Sequence, residues 1–300
     1  MSIYANEMTR SSPPNRRAAQ YGRRWVVKVG SSLLTREDGQ PDRLAIRSLV
    51  FQMATLRQQG LDVVLVSSGS VSVGRGHLAC GDVNGSAADV ARRAAASLGQ
   101  ATLLRVFQEC FEASDTLCGQ LLLTNVDLSG RSAQRRLRDS IDALLVAGAI
   151  PILNENDATV HANNGIGNND LLAAQVARIW RADLLLLLTD QVGLYTADPR
   201  RDPMARLVDS CRCDDPRLIA MAGGSKGALG TGGMATKIRA AGLVGRRGIP
   251  TLIAAGRQAR VLLRVRQGEG LGTWLAPATM RSLAQRLGLP TLPQPVYTWA

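Results

Sequence analysis

The chain of 300 residues is 45% hydrophobic, which is enough for a sizeable core, and its length permits one large domain or two smaller ones. None of its apolar segments reaches the roughly 20 residues of a membrane-spanning helix, and the polar, basic residues 1–24 lack the apolar middle of a secretion signal, so we expect a cytoplasmic protein without a membrane partner. The net charge of +12 would suit a polyanion, but aromatic residues make up only 4% of the chain and offer few platforms for stacking bases, which argues against nucleic acid as the partner.

Buried strands are predicted wherever a short apolar run ends in small or polar residues. Such runs occur at residues 25–29, 62–66, 121–123, 149–153, 184–188 and 251–254, and a further strand is predicted at 261–265. Helical spacing of apolar residues predicts helices over 43–59, 87–112, 132–146, 171–181 and 234–246. Residues 202–230 are predicted to be irregular. Strands that alternate with helices in this way build a parallel α/β sheet.

The predicted strand at 184–188 consists of five consecutive leucines, a pattern typical of a central parallel strand that is covered on both faces. Thr189 and Asp190 follow at its carboxyl end, where ligands bind in open parallel sheets. Together with Tyr195 and Asp198 they could cradle a nucleotide, although a capped turn between strand and loop explains the same pattern. We therefore expect the chemistry at this edge of the sheet.

Lysine is rare in this chain, with Lys28, Lys226 and Lys237 against 33 arginines. Because a compact ammonium differs from a planar guanidinium, a lysine that persists against such a bias indicates a role that arginine cannot fill. Lys28 lies in the apolar strand predicted at 25–29, where its charge is costly unless an anion lies near it or the lysine reaches water at a sheet edge.

A glycine-rich loop at 227–233 runs into the helix that contains Lys237. Glycines let backbone N–H groups close around a phosphate, and the positive end of the helix adds to the attraction. Lys237 could then neutralise phosphate charge. The spacing does not match the P-loop pattern G-x-x-x-x-G-K-[ST], and a plain surface loop is the alternative interpretation.

Two clusters of asparagine and acidic residues, at 154–157 and 167–170, have side chains suited to an amino group or a metal-bound phosphate. Asparagine-rich turns also form for backbone reasons alone. Combined with the strand-end loops, the two distant lysines and the glycine-rich loop, these clusters indicate phosphoryl transfer, because that reaction needs positive groups around the moving phosphoryl group and a carboxylate that is compatible with a metal.

The five cysteines are odd in number, and Cys211 and Cys213 have no second pair of cysteines or histidines to complete a zinc site. We therefore expect reduced thiols, and we predict no set of protein residues that ligates a metal.

Six motifs together resemble the amino-acid kinase family. They are WVVKVGSSLL at 25–34, VVLVSSGSVSVG at 63–74, PILNENDA at 151–158, GNND at 167–170, LLLLTDQVGLYTADPR at 185–200 and GTGGMATK at 230–237. The resemblance implies a three-layer α/β/α sandwich with an open, mainly parallel central sheet. It also implies transfer of the γ-phosphoryl group of ATP, with Mg²⁺, to the γ-carboxylate of L-glutamate, which is the first step of proline biosynthesis.

The resemblance also implies roles for individual residues. Lys28 and Lys237 would be catalytic and stabilise the charge on the transferred phosphoryl group, and Asp170 would orient both lysines. ATP would be held by Lys28, Thr189, Asp190, Thr231, Gly232, Gly233, Met234, Ala235, Thr236 and Lys237. Glutamate would be held by Ser68, Gly69, Asn154, Asp157 and Asn169.

One departure from the family pattern leaves the substrate open. The family usually has Gly-Asp-Asn-Asp where this chain has Gly167-Asn168-Asn169-Asp170, so a carboxylate near the expected glutamate site is missing. A related kinase that phosphorylates a glutamate analogue in a specialised pathway is therefore one alternative. A non-catalytic relative that senses nucleotide or proline is another, although both candidate lysines and Asp170 are present. Binding of RNA through the basic surface is a third.

We expect three segments: a basic, flexible extension at 1–24, indicated by its composition, a catalytic domain at 25–276, indicated by the resemblance, and a short tail at 277–300. Many bacterial members of the family carry a C-terminal PUA domain, which we expect this chain to lack. The resemblance also implies a homo-oligomer, either a dimer or a tetramer, and it allows proline as a feedback inhibitor.

Overall fold

The computed structural model describes residues 17–78, 86–160, 165–222 and 233–277. The strands of this part of the chain are β1 Arg24–Val29, β2 Asp62–Val66, β3 Leu117–Leu123, β4 Ala149–Glu155, β5 Leu184–Thr189, β6 Ser210–Arg212, β7 Thr251–Ala255 and β8 Thr273–Ala276. The helices are α1 Arg17–Tyr21, α2 Ser31–Leu34, α3 Arg43–Gln58, α4 Ser70–Arg75, α5 Ser86–Glu112, α6 Asn125–Leu128, α7 Arg131–Val146, α8 Asn169–Trp180, α9 Arg217–Met221, α10 Met234–Gly245 and α11 Val261–Arg266.

The described strands form one eight-stranded sheet in the order β3-β4-β2-β1-β5-β7-β8-β6. Every pair of neighbours is parallel except β7 and β8, which are antiparallel. β1 lies in the middle, where Lys28 is paired with Val66 of β2 on one side and with Leu187 of β5 on the other. The expected α/β/α sandwich with an open, mainly parallel sheet is confirmed.

The two faces of the sheet bury separate hydrophobic clusters, because successive side chains of a strand point to opposite faces. On one face, Trp25, Val27 and Val29 of β1 pack with residues of α3, α5 and α11. On the other face, Val26 packs with residues of α7, α8 and α10. Lys28 follows the alternation of Val26, so its side chain points toward the layer that contains α8 and α10.

The apolar run at 261–265 is helix α11, so the strand predicted there is wrong. A short apolar run cannot be assigned to strand or buried helix by periodicity alone. In the fold, the run packs against α3, where the backbone N–H of Leu262 donates to the Gln52 side chain at 2.9 Å. The far edge of the sheet is formed instead by the short strands β8 and β6, and the region predicted to be irregular contains β6 and α9.

The packed fold begins before residue 24, because α1 buries Ala18 and Ala19 in the hydrophobic cluster that contains α11. The Arg266 guanidinium of α11 donates to the carbonyl oxygens of Ala19 and Gly22 at 3.2 and 2.9 Å. The boundary expected at residue 24 is therefore too late, since residues 17–22 belong to the fold. The remainder of the predicted extension and nearly all of the predicted tail lie outside the described residues.

No helix within the described ranges is both long and apolar enough to cross a membrane. Cys110, Cys118, Cys211 and Cys213 carry free thiols, as the sequence predicts, and Cys80 lies outside the described residues.

Helices α4 and α5 touch backbone to backbone, and two glycines permit this approach. A Cβ atom on Gly99 of α5 would overlap the carbonyl oxygen of Ser70, and one on Gly74 of α4 would overlap the carbonyl group of Ala95. The contact holds the start of α4 in place, and α4 follows directly from the small-residue loop at the carboxyl end of β2. The position of that loop therefore depends on the close packing of two helices.

We predict that Gly99→Ala lowers the free energy of unfolding by about 3 kcal/mol or more, because the new methyl group meets backbone atoms that cannot rotate away. The matched control is Gly270→Ala, since a Cβ at Gly270 would meet nothing within 4 Å and the residue has no positive φ. Urea unfolding of both variants measures the difference. Equal stability of the two variants would show that α4 and α5 are not held at this distance.

Candidate active site

Three charged side chains from separate elements meet below the carboxyl edge of the sheet. The Lys28 ammonium of β1 lies 2.7 Å from Asp170 Oδ1, and the Lys237 ammonium of α10 lies 3.1 Å from Asp170 Oδ2. Asp170, in the first turn of α8, is fully buried, and the two lysines are only 5% and 4% exposed. A single carboxylate therefore bridges two buried ammonium groups that are more than 200 residues apart in sequence.

The charges of this trio support one another. Burial alone would raise the pKa of the Asp170 carboxyl, but the ammonium groups of Lys28 and Lys237 outweigh burial and hold that pKa below its ordinary value. Burial lowers the pKa of the Lys28 ammonium, and Lys237 adds to this effect while Asp170 opposes it. Asp170 is therefore ionised at neutral pH, and its charge counters the cost of burying Lys28.

Two neighbouring side chains position Asp170. Asn168 caps α8, and its side-chain oxygen accepts the backbone N–H of Asp170 at 2.6 Å. Thr236 Oγ1, in the first turn of α10, lies 2.8 Å from the Asp170 oxygen that also contacts Lys237. The first turns of α8 and α10 are thus joined through one carboxylate.

A cavity of about 430 Å³ opens next to the trio at the carboxyl ends of β1, β2, β4 and β5. We call it the substrate cavity. Among its lining residues are Lys28, Gly30, Ser31, Ser68, Gly69, Arg75, Arg92, Glu155, Asp157, Asn168, Asn169, Thr189, Asp190 and Lys237. It contains cationic, anionic and amide side chains, which suits a small ligand that carries charges of both signs.

A network of amides lies on one side of this cavity. Asn169 Nδ2 lies 2.9 Å from the carbonyl oxygen of Ser67, 3.1 Å from Ser68 Oγ and 2.9 Å from Asn154 Oδ1. Asn154, which is buried below the cavity wall, donates in turn to Gln100 Oε1 at 2.7 Å. These contacts fix the orientation of each amide group, because each nitrogen faces an oxygen.

The acidic side of the cavity is partly neutralised. Arg92 of α5 donates to Asp157 at 2.8 Å and to the carbonyl oxygen of Val160 at 2.8 Å. Burial raises the pKa of the Asp157 carboxyl, and Arg92 opposes that effect. Burial likewise raises the pKa of Glu155, which accepts the backbone N–H of Ile166 at 2.5 Å. Asp157 therefore faces the cavity with a cation already beside it.

A second cavity, of about 370 Å³, adjoins the first, and we call it the nucleotide cavity. The residues Thr189, Asp190 and Lys237 line both cavities. Other residues that line the nucleotide cavity are Leu194, Tyr195, Asp198, Arg200, Met221, Gly233 and Met234. The hydroxyl of Thr189 donates to Asp190 at 2.8 Å, which orients that carboxylate at the junction. A ligand in each cavity would meet its neighbour beside Lys237.

The structure brings together most of the residues that the sequence predicts for the site. Ser68, Gly69, Asp157 and Asn169 line the substrate cavity, and Asn154 contacts it through Asn169. Thr236 contacts Asp170, whereas Ala235 is exposed on the first turn of α10 and lines neither cavity. Thr231, Gly232 and the rest of the glycine-rich loop up to residue 232 lie outside the described residues.

Among the residues at the site that were not predicted are Arg75, Arg92 and Gln100. The two arginines line the substrate cavity, and Gln100 orients Asn154. The sequence carries no signal that separates these arginines from the 31 others, since neither lies in a strand-end loop. Gln100 lies in the middle of a long helix and gave no motif.

The mainly parallel sheet with a buried trio of two lysines and one aspartate at its carboxyl edge defines an α/β protein with a charged, polar site. A model of the amino acid kinase family matches residues 23–255, and the chain belongs to that family. It is 45% identical to the glutamate 5-kinase of Stutzerimonas stutzeri strain A1501 and 46% identical to that of Pseudomonas aeruginosa strain PAO1. Each match spans 264 residues, which are 88% of this chain and 70% of the relative.

Solved structures support the fold alone. The UMP kinase of Bacillus anthracis superposes with a TM-score of 0.57 at 14% identity, covering 86% of this chain and 97% of that one. The isopentenyl phosphate kinase of T. acidophilum, solved as a product complex, superposes with a TM-score of 0.58 at 16% identity, covering 84% of this chain and 99% of that one.

We predict that Asp170→Asn lowers the free energy of unfolding by about 3–5 kcal/mol at neutral pH, because it leaves two buried ammonium groups without their anion. Since the pKa of Asp170 is lower in the folded protein than in the unfolded chain, its contribution is present above the unfolded value and is lost as the pH falls through the folded value. The difference in the free energy of unfolding between the wild type and Asp170→Asn should therefore become smaller at acidic pH.

Urea unfolding at several pH values measures this difference, with Asp139→Asn on the exposed face of α7 as the control. A variant at Asp170 as stable as that control at neutral pH would contradict the bridging role of the carboxylate.

Proposed function

We propose that this protein phosphorylates the γ-carboxylate of L-glutamate with ATP, giving L-glutamyl 5-phosphate for proline biosynthesis. The observation that carries the proposal is the pair of buried ammonium groups on one carboxylate, placed where two polar cavities meet. The similarity to curated glutamate 5-kinases over most of the chain supports glutamate as the acceptor.

The reaction joins an oxygen of the γ-carboxylate to the γ-phosphorus of ATP and breaks the bond between that phosphorus and the oxygen that leaves with ADP. Two anions must approach each other, and negative charge accumulates on the transferred group and on the leaving oxygen. Fixed cations at that point lower the barrier, because they stabilise charge without having to reorganise. Lys28 and Lys237 would supply these cations, and Asp170 would hold both in place.

Glutamate would lie in the substrate cavity with its γ-carboxylate next to Lys28. Its amino group would meet the acceptor groups around Asp157 and Asn169, while Ser68 and Gly69 form the adjoining wall. Asn154 would act indirectly, because its side-chain oxygen accepts a hydrogen bond from the Asn169 amide and so orients it. This wall of the cavity would be rigid, because the amides of Asn169, Asn154 and Gln100 are hydrogen bonded to one another in sequence.

ATP would lie in the nucleotide cavity, with its phosphates directed to the first turn of α10. Gly233 and Met234 line that cavity, and Thr189 and Asp190 lie at the junction. We assign Thr231, Gly232, Ala235, Thr236 and Lys237 to the same phosphate-binding segment on the basis of the motif. A helix start of this kind attracts phosphate through free N–H groups and its dipole.

Mg²⁺ would be carried mainly on the phosphates of ATP. Among the described residues there is no cluster of three or more His, Cys, Asp or Glu side chains that could hold a metal. Kinases commonly bind Mg²⁺ through one or two carboxylates together with the phosphates. Asp190 fits this role because it lines both cavities, whereas Asp170 is occupied by two lysines. When bound, Mg²⁺ would neutralise phosphate charge.

The protein would act in the cytoplasm as a homo-oligomer, with proline as a feedback inhibitor. Support for self-association comes from the edge of the sheet. Within the described part of the chain, β3 is the edge strand beside β4, and Leu117 and Leu122 are exposed on it. An edge strand with exposed apolar side chains is a natural place for a second copy to dock.

A kinase for a glutamate analogue is the second candidate, and the amino-group side of the cavity favours it. Asn168 stands where the family pattern has a carboxylate, and its oxygen is engaged in capping α8. Asp157, the neighbouring carboxylate, is already paired with Arg92. A substrate whose nitrogen carries less positive charge than the glutamate ammonium would suit this side.

Turnover separates the two candidates. Purified protein with ATP and Mg²⁺ is tested on L-glutamate and on analogues altered at the amino group, and the acyl phosphate is trapped with hydroxylamine as a hydroxamate. We expect the highest kcat/KM with L-glutamate. Turnover of an analogue alone would establish the second candidate, and ATP binding without turnover of either would point to a non-catalytic sensor.

We predict that Lys237→Arg lowers kcat by well over tenfold although the charge is kept, because a planar guanidinium cannot occupy the compact site on Asp170. The matched control is Arg239→Lys, which makes the reverse exchange at an exposed position of the same helix. Steady-state kinetics with saturating substrates measures both. A normal kcat for Lys237→Arg would mean that this lysine is not at the reacting phosphoryl group.

A further inference from the structure

The substrate cavity contains one cation that has neither a role in the reaction described above nor a carboxylate partner among the described residues. Four cationic side chains of the described residues line the cavity: Lys28, Arg75, Arg92 and Lys237. The two lysines contact Asp170, and Arg92 contacts Asp157. The exposed side chain of Arg75 makes no hydrogen bond or ion pair with any residue in the described ranges. A guanidinium without an anion in the wall of a charged cavity is suited to receive one from a ligand.

Arg75 lies on the side of α4 that faces the cavity. It is three residues after Ser72 and four after Val71, and these three residues all line the cavity. Residues with this spacing share one face of a helix. α4 begins at Ser70, and Arg75 lies about 7.5 Å further along the helix axis. The helix forms the wall of the cavity over that length. The guanidinium therefore extends the cavity beyond the small-residue loop.

L-Glutamate has a second carboxylate whose partner is not yet assigned. The γ-carboxylate belongs beside Lys28, where the phosphoryl group arrives, and the amino group belongs with Asp157 and Asn169. The α-carboxylate then needs a donor elsewhere in the cavity. Arg92 is already occupied by Asp157 and by the carbonyl oxygen of Val160. A guanidinium is well matched to a carboxylate, because it can donate two parallel hydrogen bonds.

We propose that Arg75 binds the α-carboxylate of the substrate and makes the site specific for acceptors that carry a second carboxylate. The inference rests on the proposed function, since it assigns one group of the same substrate. The guanidinium of Arg75 forms no ion pair with Asp170, whose partners are Lys28 and Lys237, so we assign Arg75 to binding of the acceptor rather than to transfer of the phosphoryl group.

The test compares substrates as well as variants. 4-Aminobutyrate is glutamate without its α-carboxylate, and L-isoglutamine carries a neutral amide in place of that carboxylate. Both keep the amino group and the carboxylate that is phosphorylated. They are measured as substrates or, if they are not turned over, as competitive inhibitors against L-glutamate. The proteins are the wild type, Arg75→Gln, Arg75→Lys and the control Arg135→Gln, an exposed arginine of α7 that does not line the cavity.

We expect Arg75→Gln to raise the KM for L-glutamate by about tenfold or more, as the loss of a charge-assisted hydrogen bond predicts. The value of kcat should change by less than about twofold, because the contact is the same in ground state and transition state. The ratio of the affinity for L-glutamate to the affinity for 4-aminobutyrate should fall by the same factor as the affinity for L-glutamate itself, because 4-aminobutyrate has no carboxylate for Arg75 to bind. The KM of Arg75→Lys for L-glutamate should lie between the values of the wild type and of Arg75→Gln. The KM of Arg135→Gln should match that of the wild type.

Two outcomes would overturn the inference while leaving the proposed function intact. One is an unchanged KM for L-glutamate in Arg75→Gln. The other is an equal loss of affinity for L-glutamate, 4-aminobutyrate and L-isoglutamine, which would indicate a structural defect. Thermal unfolding and ATP affinity of the variants show whether the fold is kept. Absence of turnover of L-glutamate by the wild type would instead refute the proposed function, and this inference with it.

Discussion

The structure depends on the burial of two lysines around one aspartate. Moving a charged group out of water costs several kcal/mol per ion, and the attraction within an ion pair repays that cost only when the geometry is good. Here the distances of 2.7 and 3.1 Å hold only if β1, α8 and α10 keep their relative positions. Such a group is a poor way to gain stability, because apolar residues would pack the same volume without desolvation. Its presence fits the phosphoryl transfer proposed above, which needs two fixed cations.

The architecture determines where those cations lie. Alternation along β1 sends Trp25, Val27 and Val29 to one layer and Lys28 to the other, so the only lysine of this strand points at the first turns of α8 and α10. Parallel strands end on the same edge, which gathers the loops after β1, β2, β4 and β5 around one opening. The close contact of α4 with α5 then holds the start of α4 beside the helix that contains Gln100, which orients Asn154.

Sequence patterns predicted the fold and singled out the two lysines because both leave strong local signals, whereas the role of Asp170 was implied only by the family resemblance. Five leucines before Thr189 mark a central strand, and two lysines among 33 arginines stand out from their background. Helix α11 was missed because a run as short as 261–265, with four apolar residues and one arginine, carries no usable period. Arg75 and Arg92 were missed for the opposite reason to the lysines, since an arginine in this chain is not informative. Gln100 matters only through Asn154, and that contact between distant residues exists only in three dimensions.

Binding of an anion beside Lys28 would offset part of the cost of burying that lysine. Burial depresses the pKa of Lys28, and Asp170 offsets only part of that effect, so the ammonium form is held at a cost. An anion bound beside Lys28 raises that pKa again, because it stabilises the charged form. By linkage, a ligand that binds only the folded protein stabilises it in proportion to its affinity. The interactions that make the site costly to build are therefore the same interactions that bind its anionic ligands, and the folded state is most stable when the site is filled.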